Sequence, residues 1–278
     1  MPDYQYLLRL WSLPPAATFS IELAAILYLR GWWRLRLAGV PFVPAWRAVA
    51  FLSGLLTVWI ALASPIDAVN SLLLTAHMLQ HMLFVMVAPP LILLGAPLVP
   101  IVRGLPSVAR ECVGPIAKLP VVERIGRVLS NPVAGLLLMG IVMFAWHTPI
   151  LYDLAITSDF LHEVEHASFF LASLAFWWPV VLPWPSRAQW PRLAMVPYLL
   201  LADLQNTALS AILAFSDRVL YPSYAALPRV FGLSALDDQV AAGAFMWVAG
   251  SVGFIVPAIV IAVQCLSTSS RRDALSAA

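Results

Sequence analysis

The sequence predicts an all-α integral membrane protein: a bundle of seven transmembrane helices, with the N-terminus outside and the C-terminus cytoplasmic. Three observations predict it. Of the 278 residues, 62% are hydrophobic and 11% charged, where a soluble domain carries about a quarter charged residues. Apolar stretches recur at about the 20-residue length that a membrane helix needs. Basic side chains collect in alternate connections between those stretches.

The spans fall at 16–33, 46–64, 71–95, 131–152, 159–183, 193–215 and 239–264, and the whole chain, 1–278, reads as one membrane domain. The first carries Glu22 within it. The third contains Pro89-Pro90, where a kink or break is expected because proline removes a helix hydrogen bond. The fifth begins at Asp159 and the seventh just after Asp237-Asp238, which reads as a carboxylate cap on its own helix N-terminus. Asp203, Asn206 and Ser210 form a polar stripe on the sixth, suited to interhelical hydrogen bonds or to a wet cavity. Gly250 and Gly253 on the seventh suit close helix packing.

Orientation follows from the loops. Arg30, Arg34, Arg36 and Arg47, then Arg103, Arg110, Lys118, Arg124 and Arg127, then Arg187 and Arg192, then Arg271 and Arg272 lie on one side. The other side has Arg9, Arg218 and Arg229 against Asp3, Asp67, Asp153, Asp159, Asp217, Asp237 and Asp238. The positive-inside rule assigns the first set to the cytoplasm. Trp32, Trp33, Trp46, Trp177, Trp178, Trp184 and Trp190 cluster near that boundary, as an interfacial belt does. The first fifteen residues lack the basic start and apolar core of a signal peptide, and Pro14-Pro15 interrupts them. A net charge of +2 and the lack of a basic-aromatic platform argue against a nucleic-acid partner.

Ionisable groups inside spans are costly and mark function. Here five of them are histidines. His77 and His81 in HMLQHM, and His162 and His166 in HEVEH, are two i,i+4 pairs, each on one helix face. His147 stands in AWHTP. Counting about 1.5 Å per residue from the outer boundary places His77, His147 and His166 about 9–10 Å deep. His81 lies one turn below them and His162 one turn above. Imidazole ligates copper, zinc and iron, and thioether favours copper(I). Met78, Met82 and Met246 lie near the same level, so the set points to copper, with zinc as the alternative metal. His77, His81, His147 and His166 are the proposed ligands. His162, Glu163, Asp153 and Met246 are secondary candidates. Asp153, Glu163 and Glu165 flank the cluster as ligands or as imidazole-orienting partners, and Glu22 would add one more oxygen. Cys112 and Cys265 fall on the cytoplasmic side and read as reduced thiols.

The segments HMLQHMLFVMVAPPLILLGAP, WHTPILYDLA, HEVEHASFFLASLAFWWPV and DDQVAAGAFMW resemble, in order and wording, the CtaG-type cytochrome c oxidase assembly factors. The likeness covers spans three to seven closely and the first two more loosely. His77 and His81 match the family's paired histidines, His147 its WH.P motif, His166 its EH motif, and Asp238, Gln239 and Met246 its DQ…MW segment. The resemblance implies a non-enzymatic, multi-pass protein of the bacterial plasma (inner) membrane. It would work beside the oxidase catalytic subunit and help form its copper centre.

Three other readings stay open on the residues alone. One is a copper channel or transporter, since the polar stripe on the sixth span could continue a pathway inward. A zinc-dependent seven-helix hydrolase of the ceramidase type uses histidines and carboxylates to activate water. That family keeps a histidine pair in its last span, and span seven here has none. A haem protein also gathers histidines from several helices at one depth.

Overall fold

The computed structural model describes residues 10–41, 43–229 and 232–276, with side chains placed to Ser267. Asp3 and Arg9, used above for orientation, lie outside the described residues, as do the side chains of Arg271 and Arg272. The described chain is helical, with no strand. Five helices are long and apolar enough to cross a membrane: Ala45–Val69, Leu74–Leu94, Asp159–Val181, Arg192–Ala214 and Ala235–Ser267. This is the build of a multi-pass membrane protein.

We number the elements α1 (Pro15–Leu37), α2 (Ala45–Ala63), α3 (Pro65–Val69), α4 (Leu74–Leu94), α5 (Leu98–Gly104), α6 (Ser107–Ala117), α7 (Pro120–Leu129), α8 (Pro132–Trp146), α9 (Pro149–Thr157), α10 (Asp159–Val181), α11 (Met195–Ala214), α12 (Pro222–Ala225) and α13 (Ala235–Ser276). The stretch expected to cross at 131–152 is two helices. α8 stops at His147 and α9 restarts at Pro149, because a proline stops the preceding residue from continuing a helix. At its other end α8 bends by 74° from α7, and the two pass as a span only together. Asn131 makes that corner, its Oδ1 accepting from the amides of Val133 and Ala134 at 2.9 and 3.2 Å. α1 is long enough to cross but too polar to rank with the five. Its buried face is Tyr28, Gly31 and Leu35, and Glu22 lies exposed on another side. The oxygen expected from Glu22 therefore points away from the bundle.

α4 is central. α13 lies against its first half, α2 against its second, and α10 along it. The expected break at Pro89-Pro90 is instead a π-helical stretch, Leu83–Val87, inside a continuing helix. The wider turn gives the proline rings room, since each clashes with the carbonyl four residues back. Pro89 leaves the Val85 carbonyl without its helix donor, and Trp177 Nε1 of α10 donates to it at 2.8 Å.

α11 packs along α13. Asn206 donates to the Met246 carbonyl at 3.3 Å, and Ser251 donates to Asp203 at 2.8 Å. Asp203 and Asn206 of the polar stripe thus serve as interhelical glue, while Ser210 Oγ is buried without a partner. Gly250 leaves room for Asn206, since a Cβ there would come within 2.4 Å of Asn206 Nδ2. Outward faces are apolar. Val248, Val252, Ile255, Ile259 and Val263 follow i, i+4, i+7, i+11, i+15 on α13 and are exposed, as lipid contact requires.

α1 is joined to α5 by mutual close approach. A Cβ on Gly31 would lie 1.7 Å from the Pro100 carbonyl oxygen, and one on Gly104 would lie 1.8 Å from that of Leu27. Tyr28 adds a hydrogen bond to the Gly95 carbonyl at 2.8 Å. Backbone cannot yield as a side chain can, so Gly31→Ala should cost about 1–3 kcal/mol by overpacking. Gly114→Ala, on α6 where nothing lies within 4 Å of the new carbon, should be neutral or stabilising by up to about 1 kcal/mol. Thermal unfolding of the two variants in detergent checks the contrast.

Candidate metal centre

Three elements bring all five histidines together. α4 supplies His77 and His81, the C-terminal end of α8 supplies His147, and α10 supplies His162 and His166. His77 and His81 stand 4.2 Å apart between ring centroids, as do His162 and His166. Across helices, His81 lies 5.6 Å from His166 and 6.4 Å from His147, and His77 lies 5.8 Å from His162. The expected convergence of groups remote in sequence is present.

A carboxylate sits at the middle. Glu165 is 1% exposed, and one of its oxygens lies 3.6 Å from Nε2 of both His77 and His81. These distances are too long for good hydrogen bonds. Donor atoms about 2.0–2.2 Å from one ion stand about 3–3.6 Å apart, so the spacing matches the edge of a coordination shell. His77, His81 and Glu165 form the tightest group that could hold a metal ion among the described residues. Glu165, not Glu163, is the acid that enters the centre, and helix geometry explains the choice. Residues 162, 165, 166 and 169 share one face, while Glu163 is turned outward and exposed. The i+3 spacing from His162 was the legible signal.

The hydrogen-bond inventory gives an independent test of fit. Buried atoms without a partner include His77 Nε2, both ring nitrogens of His81, His147 Nε2, His166 Nε2, both oxygens of Glu165 and the Tyr152 hydroxyl. Buried polar atoms are nearly always paired, and an unpaired buried carboxylate is costly. So many convergent lone pairs in one place suit a cation. His147 is oriented for this. Its Nδ1 lies 2.7 Å from the Met143 carbonyl, which only accepts, so Nδ1 carries the proton and Nε2 is left as the free electron pair. Such a partner is the usual orienting device of a metal-binding histidine. Tyr221 donates to the His147 carbonyl at 3.3 Å, and Trp146 Nε1 ties the end of α8 to Ser168 of α10 at 2.8 Å.

The secondary candidates separate. His162 is half-buried and lines two clefts that meet at Asp67, Asp159 and His162. One, of about 220 Å³, is polar and reaches His77 past Asn70 and Ser71. The other, of about 570 Å³, runs between α2 and α10 and reaches His166, with Glu163 on its wall. Asp153 is turned to α12, accepting from the Ser223 amide at 3.2 Å. Met246, Met78 and Met82 are packed in the main apolar core.

Several positioning residues carried little signal in the sequence. Gln80 is fully buried. It donates to the Ala61 carbonyl and to Asp67, both at 2.8 Å, and accepts from Asn70 at 2.7 Å. It ties α4 to the polar cleft. Asp238 corrects an expectation: it caps α4, not its own helix. Its carboxylate accepts from the amides of Leu74 at 2.7 Å and Thr75 at 3.1 Å, from the Thr75 hydroxyl at 2.5 Å, and from Tyr224. The N-terminus of α4 presents orphan amides into a buried junction, and Asp238 lies near enough to take them. Ser234 does the local capping: its hydroxyl accepts from the Asp237 amide at 3.1 Å and donates to the Asp237 carboxylate at 2.6 Å.

Comparison with known proteins follows the geometry. The profile of the family described as cytochrome c oxidase caa3 assembly factor (Caa3_CtaG) matches residues 26–268. The chain belongs to that family. The matched region holds every residue of the centre. An uncharacterized protein of Mycobacterium leprae (strain TN) is 26% identical over 258 residues, 88% of this chain and 37% of its own length. An uncharacterized protein of Mycobacterium bovis (strain ATCC BAA-935 / AF2122/97) is 25% identical over 187 residues, 65% of this chain and 28% of its own length. The family member described here thus spans about a third of such relatives. No solved structure matches it.

Asp238→Ala should leave the amides of Leu74 and Thr75 and the Tyr224 hydroxyl without partners. The expected loss is about 1–3 kcal/mol for each group left buried and unsatisfied. Ser234→Ala, at an exposed cap, should cost about 0.5–2 kcal/mol. Thermal unfolding monitored by circular dichroism ranks the two.

Proposed function

We propose that the chain is a seven-span plasma-membrane assembly factor that carries copper in the outer half of the bundle and assists formation of the copper centre of cytochrome c oxidase. Its N-terminus lies outside and its C-terminus in the cytoplasm. In this reading α1, α8 with the start of α9, and the five long apolar helices are the spans. Copper is the cargo, and the oxidase catalytic subunit receives it. The chain catalyses no covalent step.

One observation carries the reading: His77 and His81 converge on Glu165 in a buried cluster whose lone pairs have no protein partners. Family membership supplies the oxidase. The ligands are His77, His81, Glu165 and His147, with His166 adjoining. Imidazole ligates copper and zinc alike, and a carboxylate favours the harder, oxidised ion over copper(I). The ion enters from the outer aqueous side through the cleft of Asp67, Asp159 and His162, whose two acids attract a cation. It leaves toward the oxidase through the larger cleft between α2 and α10, which reaches His166. Neither Asp153 nor the methionines are needed.

Metal analysis of purified protein tests the claim. Wild type should hold copper, and His77→Ala, Glu165→Gln and His147→Ala should each lose it. Removing an orienting partner alone costs about 10–100-fold in affinity, so loss of a ligand should cost at least that. His162→Ala should keep the final content and fill more slowly. Strains carrying the ligand variants at normal protein level should show low oxidase activity. Copper content equal to wild type in all three ligand variants overturns the ligand set. Tightly held zinc together with hydrolysis of a lipid amide would replace the assembly reading, and a Soret band would replace it with haem.

A further inference from the structure

The opposite end of the bundle holds a second set of unpaired groups. Trp178 lies twelve residues after His166 on α10, about 18 Å along the helix axis. α10 ends there in a left-handed residue, Leu182, with φ 54°, and the chain turns back toward α11. A cleft of about 530 Å³ opens between that turn and α7. Its walls carry Arg127, Arg187, Trp190, Ser130, Glu123 and the indole of Trp178.

Three donors on these walls have no protein partner among the described residues. Trp178 Nε1 is buried and has no hydrogen-bond partner. Among the described residues, neither Arg127 nor Arg187 has a carboxylate within ion-pair distance, since the ion pairs found there all involve Glu165. Two guanidinium groups and an indole N–H suit a phosphate oxygen set, because arginine binds phosphate through a planar fork. Glu123 on the same wall argues against a doubly charged free anion. It suits a singly charged phosphodiester whose head carries hydroxyl donors.

α7 supplies the second half of the argument. At 100° per residue, Val121, Val122, Ile125, Val128 and Leu129 occupy one arc, and Glu123, Arg124, Gly126, Arg127 and Ser130 the other. The apolar arc is exposed, while the polar arc holds the residues that face the cleft. A helix split in this way lies in the plane of a membrane interface. From Arg103 to Arg127 there are five basic residues, against Glu111 and Glu123. Juxtamembrane basic groups of this kind attract anionic lipid.

We propose that the cleft between α7 and the turn after α10 binds the phosphodiester headgroup of an anionic phospholipid, held by Arg127, Arg187 and the Trp178 indole. The acyl chains run along the exposed apolar arc of α7. The bound lipid fixes the 74° corner between α7 and α8 at the membrane surface. This site does not depend on the metal reading.

Native mass spectrometry of the full-length protein, delipidated in detergent and then offered phosphatidylglycerol, phosphatidylcholine or inorganic phosphate, tests it. Wild type should keep or regain one phosphatidylglycerol and gain little phosphatidylcholine. The double variant Arg127→Gln/Arg187→Gln should lose retention by about tenfold or more, as removal of two charge-assisted contacts predicts. Trp178→Phe, which keeps the ring and deletes the donor, should weaken retention at unchanged thermal stability. It decides the matter if the double variant does not fold. Arg110→Gln, outside the cleft, should retain lipid as wild type does. Equal retention in the double variant and in Trp178→Phe overturns the site. Full displacement of the lipid by inorganic phosphate overturns the lipid assignment.

Discussion

The structure is organised around one costly burial: a carboxylate and a group of imidazoles enclosed in an apolar bundle, with several of their polar atoms left without hydrogen bonds. A membrane offers no water to offset that cost. What surrounds the cluster therefore has to hold it in place. Aromatic rings do much of this: Phe169 lies 4.4 Å from the His81 ring and Phe84 lies 5.0 Å from His166. Tyr152 stacks on Tyr221 at 4.0 Å while facing His77 at 5.4 Å. The polar atoms that do have partners lie one step further out, in Gln80, Asp67, Asn70 and Asp238.

α4 is held at its start and near its middle by other helices. Asp238 of α13 takes its first amides, and Trp177 of α10 takes the carbonyl released by Pro89. Both contacts satisfy backbone groups that the helix itself leaves open. Two backbone defects thus double as the points that fix the height and rotation of the histidine pair. Gln80 adds a third tie, between the two histidines and on the polar side.

Much of this was legible in the sequence, for identifiable reasons. The long apolar stretches gave the helical class, and five of them are present as long helices within a few residues of the expected bounds. The i,i+4 histidine pairs and His147 gave the cluster, because helix periodicity and depth are both countable from sequence. The choice of Glu165 over Glu163 was available in the i+3 spacing from His162 but needed the neighbouring helix to decide it. The exposure of Glu22 was not available, since Tyr28, Gly31 and Leu35 set the buried face of α1 by packing on α5. The reach of Asp238 was also hidden. It crosses 164 residues of sequence to Leu74, and a carboxylate at the start of a helix ordinarily signals its own cap. The split of the fourth stretch at His147 was written in Thr148-Pro149, a dipeptide that favours extended backbone over helix.

The π-helical stretch at Leu83–Val87 has a consequence for how the chain tolerates change in length. Each residue turns an α-helix by about 100°, so residue count sets the angular phase between His77 and His81 above and Ile92 and Leu93 below. A π turn holds one residue more than an α turn, so it takes up that residue with little change of phase between the two halves. Dropping one residue there would restore an ordinary α-helix and bring back the clash of Pro89 with the Val85 carbonyl, while His77 and His81 kept their direction. Dropping one from the flanking α-helical turns would instead swing one half of α4 by about 100° against the other.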